Sequence, residues 1–141
     1  MKISTKGRYS LIFLIDLAEH ADEGSIALND VASRKNISKK YLEQIVPILN
    51  KAGVLKSNRG SKGGYSLSVA PSKITVGSIL RVTENSLMED TDAAAADSED
   101  DILTLFVWQG LNETINNYLD NITIQDIIDK QNDYYSDTYI I

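Results

Sequence analysis

Over the first twenty residues the apolar positions fall at helical spacing, with Tyr9, Ile12, Phe13 and Leu17 on one face and His20 closing it. Thr5 is the expected N-cap of this helix, which should run to about Ala21, where Ala21-Asp22-Glu23-Gly24-Ser25 has turn composition. Asn29 or Asp30 can cap a short second helix ending near Lys35, with Val31 and Ala32 facing inward. A tight connection, Asn36-Ile37-Ser38, leads to a third helix from Lys39 to Ala52 with Ser38 as its cap. Leu42, Ile45, Val46 and Leu49 form its buried stripe, while Lys39, Lys40, Glu43, Gln44 and Asn50 lie mostly on other faces. Pro47 is too deep for a first-turn proline and would cost about 3 kcal/mol in an undistorted helix, so a kink or a break is expected there. Gly53 suits the position just past the helix end.

The period then changes to two. Val54–Lys56 and Tyr65–Val69 are short strand candidates, the second alternating Tyr65, Leu67 and Val69 with serines. Between them, Asn58-Arg59-Gly60-Ser61-Lys62-Gly63-Gly64 reads as a glycine-rich, cationic hairpin tip. Thr75 caps a further helix reaching Thr83, with Val76, Ile79, Leu80 and Val82 apolar. Residues 84–101 break the pattern with four consecutive alanines and seven acids from Glu89 to Asp101, the composition of an acidic, flexible linker. From Ile102 an apolar stripe resumes through Leu103, Phe106, Val107, Leu111, Ile115, Tyr118 and Leu119. Asn121-Ile122-Thr123 then caps a short segment, Ile124 to Ile128, followed by a polar, tyrosine-bearing tail.

Two short helices joined by a three-residue turn and followed by a two-stranded ribbon are the plan of a winged helix-turn-helix. The expected fold is therefore mainly α with a small β-wing: a winged helix-turn-helix domain over residues 1–83, the linker 84–101, and a long C-terminal dimerisation helix with its tail over 102–141. Charge supports this division. The whole chain carries a net charge of -6, yet residues 1–82 hold 13 Lys and Arg against 6 Asp and Glu, and residues 83–141 hold 1 against 14. The first part suits a polyanion, and the second would be repelled by one. At the tip, glycines allow positive φ and close approach to a phosphate wall, Arg59 supplies a narrow-groove probe, and Lys62 adds charge.

The chain has no cysteine and a single histidine, His20. This removes disulfides, thiolate catalysis and the usual His/Cys zinc sites, and leaves no nucleophile–base pair for an enzyme. GSKGGY precedes a strand and lacks the GxxxxGK[ST] pattern, so it is not a nucleotide phosphate loop. The acid run Asp97, Glu99, Asp100 and Asp101 lacks EF-hand spacing, and no metal is expected. Leu11 to Ile15 is too short for the apolar core of an export signal, and no run approaches a membrane span. A cytoplasmic, non-enzymatic protein is the expectation.

Three segments, MKISTKGRYSL, YLEQIVPILNKAGVLKSNRGSKGGYSL and NITIQDI, closely resemble the winged-helix regulator family that includes IscR, NsrR and CymR. The resemblance covers almost the whole chain and is weakest between Glu84 and Asp101. It implies a homodimeric transcription factor bound to a double-stranded DNA operator, with the long C-terminal helix pairing across the two-fold through Leu103, Phe106, Val107, Leu111, Ile115 and Leu119. Glu43 and Gln44 match the base-reading positions of the recognition helix, and Arg59 matches the wing arginine that enters the minor groove. Lys6, Arg8 and Tyr9 match positions near the phosphate backbone, and Lys39, Lys40 and Lys62 join them on electrostatic grounds. Gln44 can pair bidentately with adenine; Glu43 can accept from cytosine N4, or is simply a surface carboxylate.

Cluster-binding members of that family carry three cysteines after the fourth helix, where this chain reads EDTDAAAADSEDDILTLFVW. The chain is either a natural cluster-free member or one whose cysteines were replaced, and the stripe continuing through Ile102 and Leu105 favours the first. No cofactor is expected. Among cluster-free relatives the resemblance is best to the CymR-like repressors of cysteine metabolism, which act with O-acetylserine sulfhydrylase. It implies that Tyr139, Ile140 and Ile141 could dock into such an enzyme, or pack on their own dimer. A winged-helix protein-interaction module is the alternative reading.

Overall fold

In the computed structural model, which describes residues 2–84 and 98–139, the first helix α1 spans Thr5–Glu19. Its cap is Ser4 rather than Thr5: Ser4 is extended and its hydroxyl accepts the Gly7 amide at 3.0 Å. The helix also stops short of Ala21. His20 caps the C-terminus, half-buried, with Nδ1 2.8 Å from the Asp16 carbonyl oxygen, so it does not extend the apolar face. That face consists of Phe13, Leu14 and Leu17, with Ser10 and Asp16 buried beside them.

A 3-10 turn over Ala21–Glu23 leads to α2 (Leu28–Lys35). Its N-cap is Ala27, with no side-chain cap, which corrects the expectation of Asn29 or Asp30. Asp30 lies in the first turn instead, where a carboxylate favours the positive helix end. Asn36 closes α2 at φ 53, a left-handed position that asparagine tolerates better than most residues. Helix α3 (Lys39–Lys51) is capped by Ser38, whose hydroxyl accepts the Tyr41 amide at 3.1 Å. It runs through Pro47 without a break. Pro47 and Glu43 are both exposed, so water can take the Glu43 carbonyl that the missing N–H leaves free. Gly53 follows at φ 70, as the helix ending requires.

The wing strands β1 (Leu55–Asn58) and β2 (Gly64–Leu67) pair antiparallel, Leu55 opposite Leu67 and Asn58 opposite Gly64. Both strands lie nearer the tip than the alternation suggested, because Val54 is buried as part of the core rather than as ribbon. A 3-10 turn, Pro71–Lys73, precedes α4 (Val76–Thr83), capped by Thr75 as expected.

Of the expected linker, only Glu84 and Ser98–Asp101 are described, and Glu99–Asp101 already belong to α5 (Glu99–Asp120). The Ser98 hydroxyl caps it, accepting the Asp101 amide at 3.1 Å, and the three acids sit at its positive end. Helix α6 (Ile124–Tyr139) is much longer than the expected Ile124–Ile128. Thr123 and Asp126 exchange backbone-to-side-chain bonds of 3.0 Å, a reciprocal cap that starts the helix firmly enough to carry a polar second half.

The core gathers Phe13, Leu14 and Leu17 from α1, Val31 from α2, Leu42, Ile45 and Leu49 from α3, and Ile79 from α4. Ile124, at the start of α6, is fully buried in the same cluster. Its amide donates to the Ile74 carbonyl at 2.9 Å, and the Val76 amide donates to Ile122 at 2.8 Å. The far end of the chain thus completes the packing of the helix-turn-helix. Each such buried aliphatic side chain contributes about 1.5–3 kcal/mol.

Candidate nucleic-acid interface

On α3 the buried residues Leu42, Ile45, Val46 and Leu49 face the core, and Lys39, Lys40, Glu43 and Gln44 are all exposed. The row starts in the first turn, which is the end of a recognition helix that enters the major groove first. Tyr41 holds this turn in place. Its ring meets Tyr9 edge-on, with centroids 5.4 Å apart, so the second turn of α1 and the first turn of α3 are fixed together. Tyr9 is therefore half-buried, with its ring engaged in packing. Lys6 is also half-buried; Arg8 is exposed, with Nε donating to the Ile3 carbonyl at 3.4 Å.

The wing tip carries Arg59 and Lys62, both exposed. Gly60 adopts φ 105, and the Gly63 amide closes the tip onto the Gly60 carbonyl at 2.9 Å. Among the described residues no carboxylate pairs with Lys39, Lys40, Arg59 or Lys62, so these cations are available to an external anion. The ribbon is braced at its base. Tyr65 and Ile26 exchange backbone bonds of 2.8 Å, and the Asn58 side-chain Nδ2 donates to the Ser25 hydroxyl. Gly64 sits at φ 154 with its α-carbon against the Ile26 carbonyl, where a Cβ would overlap. Tyr65 also meets Phe13 edge-on at 6.4 Å, tying the wing to the core.

Three polar contacts that the hydrophobic pattern did not reveal orient these parts. Asp16 is fully buried and takes a bidentate bond from Arg34 of α2, at 3.0 and 2.7 Å. That bond holds the Arg34 guanidinium above its ordinary pKa, more strongly than partial burial lowers it. Arg81 of α4 reaches Asp120 of α5 at 2.7 and 2.8 Å and Asn116 at 2.8 Å. The guanidinium hydrogen bond holds the Asp120 carboxyl below its ordinary value. Glu84, just past α4, accepts the Ser4 amide at 2.5 Å and the Ser4 hydroxyl at 2.6 Å. Burial pushes Glu84 up, but the Ser4 bonds, a Thr83 hydrogen bond and the nearby Lys6 charge together outweigh it, and the carboxyl lies below its usual range.

Helix α5 presents a different kind of surface. Leu103, Phe106, Val107 and Leu111 are exposed, Phe106 by 73%, and Ile115 and Leu119 are half-buried. Ile102, which extends the expected stripe, and Trp108, beside it, are exposed as well, and Leu105 is half-buried. Tyr139 ends α6, and Ile140 and Ile141 lie outside the described residues.

A helix pair with a solvent-facing recognition row, flanked by a braced cationic wing, defines a winged helix-turn-helix DNA-binding regulator. Residues 3–130 match the family model of Rrf2, described as iron-dependent transcriptional regulators, and the chain belongs to that family. CymR of Bacillus subtilis is 39% identical over 132 residues, covering 90% of this chain and 89% of CymR. IscR of Serratia proteamaculans is 35% identical over 137 residues, covering 93% of this chain and 81% of IscR. The solved structure of T. potens IscR superposes with a TM-score of 0.74 at 40% identity, covering 93% of this chain and 88% of that one. These relatives are named as regulators of transcription, and the chain is a regulator rather than an enzyme.

Proposed function

We propose that the chain is a cytoplasmic homodimeric repressor that binds a two-fold symmetric operator without an iron–sulfur cluster. Residues 1–83 read the DNA and 102–141 pair the two subunits, with 84–101 between them. The observation that carries this reading is the exposed row on α3, Lys39, Lys40, Glu43 and Gln44, beside a braced wing tip holding Arg59 and Lys62. Gln44 reads a base edge in the major groove and Glu43 selects against wrong edges; Arg59 enters the minor groove. Lys39, Lys40, Lys62, Lys6 and Arg8 meet phosphates, and Tyr9 positions them. Leu103, Phe106, Val107, Leu111, Ile115 and Leu119 pair with their counterparts, which removes an exposed apolar strip that a lone subunit would leave in water.

The residues of this chain do not fit an iron–sulfur cluster. Such clusters are held chiefly by cysteine thiolates, and the chain has none. Among the described residues no three His, Asp or Glu side chains gather as a metal site. The similarity to CymR, the global cysteine regulator of B. subtilis, supports control of cysteine metabolism as the regulated process. For Tyr139, Ile140 and Ile141 two roles stand side by side: packing on their own dimer, or docking into O-acetylserine sulfhydrylase by carboxylate capture.

Selection of bound sequences from a random duplex pool, at two salt concentrations and with Arg59→Ala in parallel, tests the operator reading. A two-fold symmetric motif weakened by the substitution supports it; salt-sensitive binding with no motif refutes it. Unchanged enzyme binding after deletion of Ile140 and Ile141 would remove the tail from the proposal.

A further inference from the structure

The geometry points to Glu84 as a positioning residue for the phosphate contacts of α1: by holding Ser4, its carboxylate fixes the helix start that carries Lys6 and Arg8. The inference rests on the operator reading for the role of those two cations, and on the structure for everything else. Ser4 does two jobs at once. Its hydroxyl accepts the Gly7 amide and caps α1, while the same hydroxyl and the Ser4 amide donate to Glu84, which is 80 positions away in the chain. The Arg8 amide in turn donates to the Ser4 carbonyl at 3.1 Å. An unheld first turn frays, because its amides have no intrahelical partners. Here the cap is itself anchored from outside by a charge-assisted pair of bonds, the stronger kind.

Gly7 makes the anchor possible. A Cβ at that position would stand 3.0 Å from the Glu84 carboxylate, 3.1 Å from the Thr83 hydroxyl and 3.2 Å from a Leu80 methyl. The glycine thus lets the start of α1 approach the end of α4 closely enough for Ser4 to reach Glu84. Arg8 and Lys6 flank that glycine, so their positions follow from the contact.

Simple electrostatics makes the opposite prediction, which gives the test its force. Glu84 is an acid close to a DNA-facing surface, and removing an acid there should tighten binding to a polyanion. If Glu84 acts by positioning, Glu84→Ala weakens binding despite the gain in charge, by about tenfold, as expected for loss of a charge-assisted bond pair. The slope of log affinity against log salt should fall by about 0.9 for each phosphate that the displaced cations no longer neutralise.

The experiment measures binding of the full chain to a selected duplex over a salt series for wild type, Glu84→Ala, Glu84→Gln, Arg8→Ala and the Glu84→Ala/Arg8→Ala double variant, with thermal unfolding of each. Glu84→Gln retains one acceptor for Ser4 without the charge, and should fall between wild type and Glu84→Ala; it decides the matter if Glu84→Ala does not fold. Weaker binding, a reduced salt slope and a smaller effect of Glu84→Ala in the Arg8→Ala background support the inference. Unchanged or tighter binding overturns it. So does a loss that adds in full to that of Arg8→Ala, because Glu84 would then act elsewhere. Arg59→Ala run alongside reports on the operator reading alone: binding indifferent to Arg59 counts against that reading, and the Glu84 variants are still scored against wild type.

Discussion

The Asp16–Arg34 pair should be lopsided when broken. Asp16 is 0% exposed and the Arg34 side chain 33% exposed, so the two partners stand in very different solvent. Arg34→Met leaves a buried carboxylate stripped of its bidentate guanidinium, with only the His20 Nδ1 nearby at 3.6 Å, which costs about 3 to 5 kcal/mol. Asp16→Asn leaves a guanidinium that can turn to water, and costs about 1 to 3 kcal/mol for the imperfect bonds that remain. The double substitution should cost less than the two single losses together, because the second change relieves the defect left by the first. Urea unfolding of all four proteins gives the cycle. Since a domain of this kind holds a total stability of about 5 to 15 kcal/mol, Arg34→Met should shift the midpoint plainly. An Arg34→Met loss no larger than that of Asp16→Asn, or full additivity, would refute the reasoning, because it would mean that the burial of Asp16 does not set the energetics.

Pro47→Ala should stabilise the protein by about 1 to 2 kcal/mol, the helix-interior cost of proline offset by its restraint of the unfolded chain, and a lower melting temperature would count against that. Gly64→Ala should cost about 2 kcal/mol or more and loosen the wing, since Ile26 blocks the new Cβ, whereas Gly60→Ala meets open space and should cost only about 1 kcal/mol; thermal unfolding of both compares them. Glu84 has a folded pKa below its ordinary value of 4.5, so its contribution is present above that value and lost as the pH falls through the folded one. The stability gap between wild type and Glu84→Gln, followed by denaturant melts over pH, should therefore close on the acid side; a gap that widened there would contradict the Ser4 contact.

Hydrophobic spacing made α1, α3 and α4 legible because each buries one face; the wing, whose strands bury no residue fully, was legible from its alternation and its glycine-rich turn. Helix α2 was visible, but its start was not: Ala27 caps without a side chain, so there was no chemical mark to find. The second half of α6 reads as a tail because it buries little; the helix is set at its other end, by Ile124 and the Thr123–Asp126 cap. The exposed residues on α3 and at the tip proposed to face DNA stand out in the sequence because they depart from the apolar pattern. The contacts that aim them could not, since Asp16 with Arg34 and Ser4 with Glu84 join positions far apart in the chain. One signal was present: an aspartate in the apolar run of α1 needs a buried partner, and Asp16 on the Phe13–Leu17 face pointed to a cation elsewhere.

The seating of Ile124 among the helices of the DNA-reading module has a consequence for how the protein is made. Synthesis runs from the first residue, so α1, α2, α3 and the wing emerge before the side chain that fills the last place in their core. That place is filled only after α5 has been produced. A growing chain therefore lacks one member of this core until α5 has been made, and fragments that end ahead of residue 124 leave a hole where Ile124 belongs.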